Sequence, residues 1–192
     1  MPKLPKMTWK RFKKKWQDCD KCELSKTRDK IVIAKGTIPC DVLFIGEAPG
    51  YSEDTLGKPF VGPAGKLLHK VIDEALEENG MIVPPTMAFT NLVCCIPKTE
   101  DGSKTHDPPK ECVQACYPRL QEFVELCKPQ CLVFVGRVAE KRGGTLLMSE
   151  CLDAISITHP AAILRGTGAN TELQCQKMII DLRVMFNNLV PF

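Results

Sequence analysis

The sequence predicts an α/β protein, a three-layer α/β/α sandwich with a central, mainly parallel four-stranded sheet. Four short apolar runs have the length of buried strands. Stretches with a 3.6-residue apolar period separate these runs, and parallel strands need such helical crossovers. The four predicted strands are Val42–Ile45, Met87–Val93, Cys131–Val135 and Ile155–Thr158.

Helix boundaries follow from periodicity together with glycine and proline signals. A periodic stretch over 64–79 ends at Gly80, and a second over 110–127 stops before Pro129. A further helix is expected after Gly136, and the final helix is expected over 171–187. The apolar run Ile31–Ala34 is a candidate for a short strand at the edge of the sheet.

The N-terminal segment differs in charge from the rest of the chain. Residues 1–36 hold 12 Lys/Arg against 4 Asp/Glu, whereas residues 37–192 hold 14 against 19. We therefore expect a basic arm over residues 1–18 and one domain over residues 19–192. Trp9, Phe12 and Trp16 share one face of a short helix. That helix could follow a polyanion such as nucleic acid, or it could pack its aromatic face on the domain.

Composition excludes several classes of protein. No apolar run approaches the roughly 20 residues that a membrane helix needs, and no apolar segment of a secretory signal follows the basic start. We therefore expect an intracellular protein. Its 11 cysteines then favour metal binding or simple burial over a disulfide framework.

Four cysteines could form one metal site. Cys19 and Cys22 form a Cys-x2-Cys pair ahead of the first central strand, and Cys95 and Cys116 could complete a set of four thiolates. Four thiolates suit zinc or an iron–sulfur cluster, and the spacing does not separate the two. Cys94 competes with Cys95, and Cys112 competes with Cys116, which lies one helical turn later.

A second group of side chains follows three predicted strands. Glu47 lies in a Gly/Pro-rich segment that begins at Gly46, Asn91 ends another strand, and His159 follows a third. The carboxyl ends of parallel strands meet at one edge of a sheet, where ligands bind. With Phe60 they offer an aromatic face, an amide and an imidazole, the groups that read a flipped nucleobase.

Three ordered motifs resemble those of a known family. They are Gly46-Glu-Ala-Pro-Gly50 with Gly57-Lys-Pro-Phe-Val-Gly62, then Thr90-Asn91-Leu-Val, then His159-Pro-Ala-Ala-Ile-Leu-Arg165. From Cys19 to the last helix the chain resembles the family 4 uracil-DNA glycosylases, the iron–sulfur branch of their superfamily. The resemblance implies a DNA-repair hydrolase that cuts the N-glycosidic bond of uracil in DNA and leaves an abasic site.

The resemblance also implies residue roles in base recognition and catalysis. Phe60 would stack on uracil, Asn91 would read the pyrimidine edge, and His159 would donate to the O2 side. Ala48 stands where other branches hold the attacking water with Asp or Asn. Glu47, which with Ala48 lines the base pocket, is the expected substitute, and Glu53 is the next choice.

Two further sets of residues follow from the resemblance. The loop after His159 would enter the duplex and touch phosphate through Ile163, Leu164 and Arg165. A [4Fe-4S] cluster would bind Cys19, Cys22, Cys95 and Cys116, with zinc as the less favoured occupant. The partner would be uracil-containing DNA, single- or double-stranded, and the protein a monomer.

The chain departs from the family pattern between Cys95 and Cys116. The segment carries an insert over 100–105, and Cys95-Ile-Pro-Lys replaces the usual Cys-Arg-Pro-Pro. These departures bear on cluster geometry and DNA contacts rather than on the reaction. Two alternatives remain open: a glycosylase for another deaminated or modified base, and a DNA-binding member that is non-catalytic or captures DNA covalently. Covalent capture would need a basic, His-containing insert, and segment 99–107 offers His106 with few basic residues.

Overall fold

A central sheet organises the protein, which we describe from a computed structural model over residues 7–80, 83–99, 101–147 and 153–189. Its strands are β1 (Lys35–Gly36), β2 (Val42–Gly46), β3 (Met87–Asn91), β4 (Cys131–Val135) and β5 (Asp153–Ile157). Across the described residues the strand order is β1-β3-β2-β4-β5. Strands β3, β2, β4 and β5 are parallel, and β1 pairs antiparallel with β3 at the edge. The four predicted parallel strands are confirmed, and β1 adds a fifth.

The edge strand expected over Ile31–Ala34 is wrong, because strand pairing begins only at Lys35. Val32 and Ile33 are buried in the core instead. Their backbone finds single partners: Val32 N–H donates to Cys94 O at 2.8 Å, and Thr90 Oγ1 donates to Ile33 O at 2.7 Å. An apolar run can thus be buried without joining the sheet, which periodicity alone does not distinguish.

Helices flank the sheet and include two that the sequence did not predict. Helix α4 matches its predicted bounds, whereas α2 and α7 lie where loops were expected. A six-residue helix carries little periodicity, and the glycine and proline that signal turns also begin helices. None of the described helices is both long and apolar enough to cross a membrane. The helices are α1 (Trp9–Trp16), α2 (Tyr51–Leu56), α3 (Pro63–Asn79), α4 (Lys110–Cys127), α5 (Arg137–Ala139), α6 (Thr145–Leu147), α7 (Pro160–Arg165) and α8 (Ala169–Asn187).

The alternation of side chains along each strand divides the core between the two faces of the sheet. In β2, Leu43 and Ile45 pack with residues of α1 and α4, whereas Val42 and Phe44 pack with residues of α3 and α8. Both faces of each central strand are therefore buried, as expected for a parallel sheet between helical layers. The three-layer α/β/α arrangement is confirmed.

The described part of the basic arm packs against the body through aromatic side chains. Phe12 is fully buried, and its ring centroid lies 5.4 Å from that of Phe123 in α4. Trp16 Nε1 donates to Glu122 Oε2 at 2.9 Å, and Lys15 forms an ion pair with the same carboxylate. The aromatic face expected for α1 is confirmed, and most of its lysines remain exposed. Residues 1–6 of the predicted arm and Glu100 of the predicted insert lie outside the described residues.

Candidate active site

A groove with an empty volume of about 1800 Å³ opens at the carboxyl edge of the parallel strands. The segment after β2, the turn after β4 and the segment after β5 all contribute to its walls, as expected for this edge of an α/β sheet. The predicted residues Glu47, Ala48, His159 and Arg165 all line it. The segment before α4 supplies further lining residues, Thr105, His106 and Asp107, of which the sequence singled out only His106, as a candidate for covalent capture.

Phe60 and Asn91 meet over the end of β2. In the sheet register Asn91 lies opposite Gly46, and both Phe60 and Asn91 are buried, with 8% and 3% of their surface exposed. A Cβ atom at Gly46 would lie 2.3 Å from Asn91 Oδ1 and 2.7 Å from Phe60 Cζ. Only glycine therefore lets the aromatic ring and the amide approach each other here. The structure brings together this predicted pair, although neither residue lines the open groove.

His159 caps helix α7 in a way that fixes the role of each ring nitrogen. Its Nδ1 accepts the backbone N–H of Ala161 at 3.1 Å. An accepting Nδ1 carries no proton, so the neutral ring has its proton on Nε2. Burial and the nearby charge of Arg165 lower the pKa of His159, against an opposing effect of Glu53. The ring is therefore neutral near pH 7, with Nε2–H free to donate.

Glu47 is paired with a carboxyl group that sequence reasoning missed. Burial, the charge of Asp107 and a hydrogen bond with its carboxyl group raise the pKa of Glu47 to about 7, against an opposing effect of Arg142. Arg142 Nη1 also donates to Pro108 O, which ties the segment carrying Asp107 to the helical stretch after β4. Glu47 is thus poised to gain or lose a proton near neutral pH, as a general base requires.

Glu53, the other predicted catalytic carboxylate, is occupied by backbone groups. Its Oε1 accepts the N–H groups of Val61 and Gly62 at 3.0 and 2.8 Å, and its Oε2 accepts that of Gly50 at 3.2 Å. The neighbouring Asp54 is fully buried and forms an ion pair with Lys98 at 2.8 Å. Glu53 holds the segment around Phe60 in shape, and Asp54 binds the backbone N–H groups of Asp29 and Lys30. Neither task is contact with a reacting atom.

The predicted DNA-contacting residues on α7 divide into two groups. Leu164 is 51% exposed, and Arg165 is exposed at the groove. Ile163 is only 1% exposed and packs in the core with residues of α3 and α8. Ile163 is therefore buried in this structure, because the helical turn directs it inward while Leu164 points outward, and its contact with DNA stays a prediction.

The four predicted metal-binding cysteines line one cavity. It lies beside α1 and α4, and Cys94 lines it together with Cys19, Cys22, Cys95 and Cys116. Cys94 Sγ lies 4.0 Å from the carbonyl oxygen of Ile33, and Cys112 lies outside the lining. Within the described ranges, no three His, Cys, Asp or Glu side chains converge tightly enough to hold a single metal ion.

Two arginines direct N–H groups at these sulfur atoms. Arg28 Nη1 lies 3.1 Å from Cys95 Sγ, and Arg119 Nη2 lies 3.6 Å from Cys116 Sγ. Arg119 is 1% exposed, and its Nε is a buried donor without an acceptor among the described residues. Positive charge beside thiols favours thiolates, and a buried orphan donor beside the cavity suits a bound acceptor. The donor set therefore fits a thiolate-bound cluster.

Arg119 also braces the base site. Its guanidinium donates to Thr90 Oγ1 at 2.8 Å, to Asn91 O at 2.6 Å and to Leu92 O at 3.0 Å. One side chain thus links the strand end that carries Asn91 to Cys116. The resemblance assigns Cys116 to the cluster, but a lone arginine in a helix gives no signal in the sequence that it will be buried.

Comparison with known proteins bears directly on this site. A family model described as the uracil DNA glycosylase superfamily matches residues 34–183. The chain is 40% identical over 119 residues to a type-4 uracil-DNA glycosylase of Saccharolobus solfataricus, covering 62% of this chain and 51% of that protein. It is 33% identical over 179 residues to that of Pyrobaculum aerophilum, covering 82% of this chain and 85% of that protein. The chain thus spans about half the length of the first relative and most of the second.

A solved structure shares the fold. A candidate uracil DNA glycosylase from Methanosarcina acetivorans, solved by solution NMR, superposes with a TM-score of 0.51 and 13% sequence identity. The match covers 82% of this chain and 98% of that chain. At this identity the likeness supports the fold alone, namely the helix-covered parallel sheet.

Proposed function

Since the chain belongs to the uracil DNA glycosylase superfamily and, within it, to the type-4 uracil-DNA glycosylases, we propose that it releases uracil from DNA. The reaction is hydrolysis of the N-glycosidic bond in DNA repair, and it leaves an abasic site. The observation that carries the proposal is the meeting of Phe60 and Asn91 at the sheet edge, where Glu47 and His159 line the adjoining groove.

Phe60 and Asn91 would recognise the flipped base. The Phe60 ring offers a stacking face, and the Asn91 amide can donate to a pyrimidine carbonyl while accepting from the adjacent ring N–H. Both side chains pack against Gly46 and are buried, which leaves little freedom to either. A fixed amide discriminates against bases with the reversed donor and acceptor pattern, because a mismatched base would leave buried polar groups unpaired.

His159 would stabilise the departing uracil anion. As the C1′–N1 bond breaks, its electron pair moves onto the uracil ring and charge develops at O2. The Nε2–H of neutral His159 donates to that oxygen, and a preorganised donor of this kind contributes roughly 3–4 kcal/mol to the transition state. The hydrogen bond from Ala161 N–H supports this assignment, since it leaves the proton on Nε2.

Glu47 would hold the attacking water. The water oxygen bonds to C1′ of the deoxyribose, and its proton passes to the Glu47 carboxylate, whose pKa of about 7 suits a base at neutral pH. Ala48 has no side chain that could compete for the water. We assign Glu53 to the support of the Phe60 segment, because its two carboxylate oxygens already accept three backbone N–H groups.

DNA would approach the groove along α7 and the basic arm. Leu164 is placed to fill the space left by the flipped base, and Arg165 to contact phosphate. We propose that residues 19–192 form one catalytic domain and that residues 1–18 form a basic arm, which α1 anchors. The substrate would be uracil-containing DNA, single- or double-stranded, bound by a monomer in a compartment that contains DNA.

Cys19, Cys22, Cys95 and Cys116 would hold a [4Fe-4S] cluster. Bound there, the group would supply a covalent cross-link between the N-terminal segment, the segment after β3 and helix α4. Cys94 and Arg119 lower the pKa of Cys116 and favour its thiolate. Burial raises the pKa of Cys95 to about 11, against the opposing effect of Arg28. Equal amounts of iron and acid-labile sulfide in protein purified without air would support this cofactor, whereas stoichiometric zinc in colourless protein would refute it.

A glycosylase assay tests the proposed reaction directly. Single-turnover release should be measured on matched oligonucleotides containing uracil, hypoxanthine, xanthine or thymine opposite guanine. Release of uracil with alkali-sensitive abasic sites supports the proposal. Preference for another base indicates the related glycosylase activity. Binding without release, or a denaturation-resistant complex that His106→Ala abolishes, indicates the non-catalytic or covalent-capture alternative.

A further inference from the structure

Phe60 has a backbone conformation that needs external support. Its φ is 52°, and Lys128 is the other non-glycine residue with positive φ among the residues that the structure describes. Residues other than glycine rarely adopt a positive φ. Those that do are usually held in that conformation by the surrounding structure. Lys128 ends a helix, where this conformation is common. Phe60 has no such reason, so its neighbours must account for its conformation.

Three groups enclose the Phe60 backbone. Gly65 lies beneath it so closely that a Cβ atom there would be 2.2 Å from the carbonyl carbon of Phe60. The next two N–H groups along the chain are bound by Glu53. The carbonyl oxygen of Phe60 accepts a hydrogen bond from Lys35 Nζ at 3.0 Å. Lys35 thus supplies the only side-chain bond to Phe60 itself among the described hydrogen bonds.

Lys35 is itself oriented by His69. The Nζ of Lys35 lies 2.9 Å from His69 Nε2, and the ammonium lies 5.2 Å from the centroid of the Phe89 ring. An ammonium only donates, so Nε2 accepts and His69 is neutral with its proton on Nδ1. The His69 and Phe60 rings flank Phe89, with centroids 4.9 and 5.9 Å from it. Lys35 therefore lies within an aromatic wall beneath the base site.

The charges around this pair favour a neutral His69 near pH 7. Burial and the charge of Lys35 lower the pKa of His69, and Asp73 opposes them. Burial and the charge of Lys58 lower the pKa of Lys35, and the charge of Glu53 opposes them. Acidification would protonate His69 and place two cations in contact. The hydrogen bond to Lys35 would then be lost.

We propose that Lys35, with His69 as its acceptor, is a positioning residue that locks the Phe60 backbone so that its ring is held for stacking on the flipped base. This inference rests on the proposed uracil-releasing function. Without the lysine, the carbonyl of Phe60 loses its partner and the peptide relaxes toward an ordinary conformation. The ring then leaves the position over Gly46. Loss of Lys35 would therefore weaken capture of the flipped base and leave binding of the DNA backbone unchanged.

Matched lysine variants test the proposal. Lys35→Met removes the donor, Lys35→Arg retains one, and Lys70→Met makes the same change at an exposed lysine next to His69 in sequence. We expect Lys35→Met to slow single-turnover uracil release about fivefold, the effect of one lost hydrogen bond of ordinary strength. Lys35→Arg should recover part of the lost rate, because it retains a donor. Affinity for DNA that already contains an abasic site should be unchanged in all three variants.

Amide hydrogen exchange gives a readout that needs no activity. Val61 and Gly62 should exchange faster in Lys35→Met than in Lys70→Met. The intrinsic exchange rate itself falls on acidification, so rates are compared as protection factors. The protection of these two amides should decrease on acidification in the wild type but not in His69→Gln, whose amide oxygen still accepts without titrating. Equal exchange and equal rates in the two methionine variants would overturn the inference, as would loss of abasic-site binding in Lys35→Met. A wild type without uracil release would refute the proposed function alone, because the exchange data still decide the role of Lys35.

Discussion

The carboxyl groups of Glu47 and Asp107 are in contact at the rim of the groove, although 60 residues of sequence separate them. Two carboxyl groups in contact cannot both ionise cheaply, so one proton is retained to a higher pH than either would allow alone. The segment before α4 that carries Asp107 thereby modifies the chemistry of the Gly46–Gly50 motif.

This contact predicts a pH-dependent stability. With a pKa raised to about 7 in the folded protein, from 4.5 ordinarily, Glu47 holds a proton in the fold that the unfolded chain releases. Its stabilising contribution is complete below about pH 4.5 and is lost as the pH rises through 7. Glu47→Gln should therefore be more stable than wild type above pH 7. Melting temperatures from pH 4 to pH 8 measure this, with the exposed Glu125→Gln as the control.

The same contact predicts the pH profile of the reaction. If ionised Glu47 holds the water, the single-turnover rate should rise with pH up to about 7. Asp107→Asn removes one cause of the raised pKa, so the rise should move to lower pH while burial keeps it above the ordinary value. An unshifted profile in Asp107→Asn would contradict the pairing of the two carboxyl groups.

The parts of the fold that the sequence predicted are those set by local patterns. Cys131–Val135 and Lys110–Cys127 were predicted with their observed bounds because each is apolar at the period of its element and ends at a strong signal. The strand predicted over Ile31–Ala34 is wrong because a buried segment and a paired strand have the same apolar pattern. The burial of Ile163 was not predictable either, since a motif position does not say which face of a helix turn is buried.

The parts of the site that the sequence did not predict depend on contacts between distant residues. Phe60, Asn91 and His159 could be identified because motifs carry them. Lys35 and His69 are 34 residues apart, and Arg119 lies 28 residues from Asn91. Which charged side chain is buried against which carbonyl is decided by packing, and no local pattern records it.

Two variants of His159 should separate its two nitrogen atoms. In His159→Asn, Oδ1 can replace Nδ1 as the cap of α7, but the Nε2 donor is lost. In His159→Gln, the amide N–H can reach the position of Nε2, but the cap is weakened. We expect uracil release to fall roughly 100-fold or more in the Asn variant, with its melting temperature preserved. The Gln variant should be less stable and more active, and the reverse order would contradict the assigned tautomer.

Leu164 and Leu173 form a matched pair for testing entry into duplex DNA. Both are exposed leucines, with 51% and 67% of their surface accessible, but Leu173 lies on α8. Leu164→Ala should slow uracil release from duplex DNA roughly tenfold, since burial of one leucine side chain offsets part of the unstacking cost. Release from single strands should be unchanged, because no base stack must be opened. Leu173→Ala should behave like wild type on both substrates, and equal effects of the two variants would exclude a wedge on α7.

Arg119→Met should lower stability far more than the same change at Arg183. The guanidinium of Arg119 donates to the carbonyl groups of Asn91 and Leu92. In Arg119→Met both carbonyl groups would lose their buried donor. Two unpaired buried acceptors cost about 3 kcal/mol together, or roughly 10 °C in melting temperature for a chain of this size. Arg183 pairs with Glu78 at the exposed surface, where the loss is about 0–1 kcal/mol.

Because Arg119 also faces Cys116 Sγ, Arg119→Met should retain less iron than Arg183→Met when both are purified without air. A melting temperature and iron content equal to those of Arg183→Met would show that the guanidinium braces neither Asn91 nor the cysteine cavity.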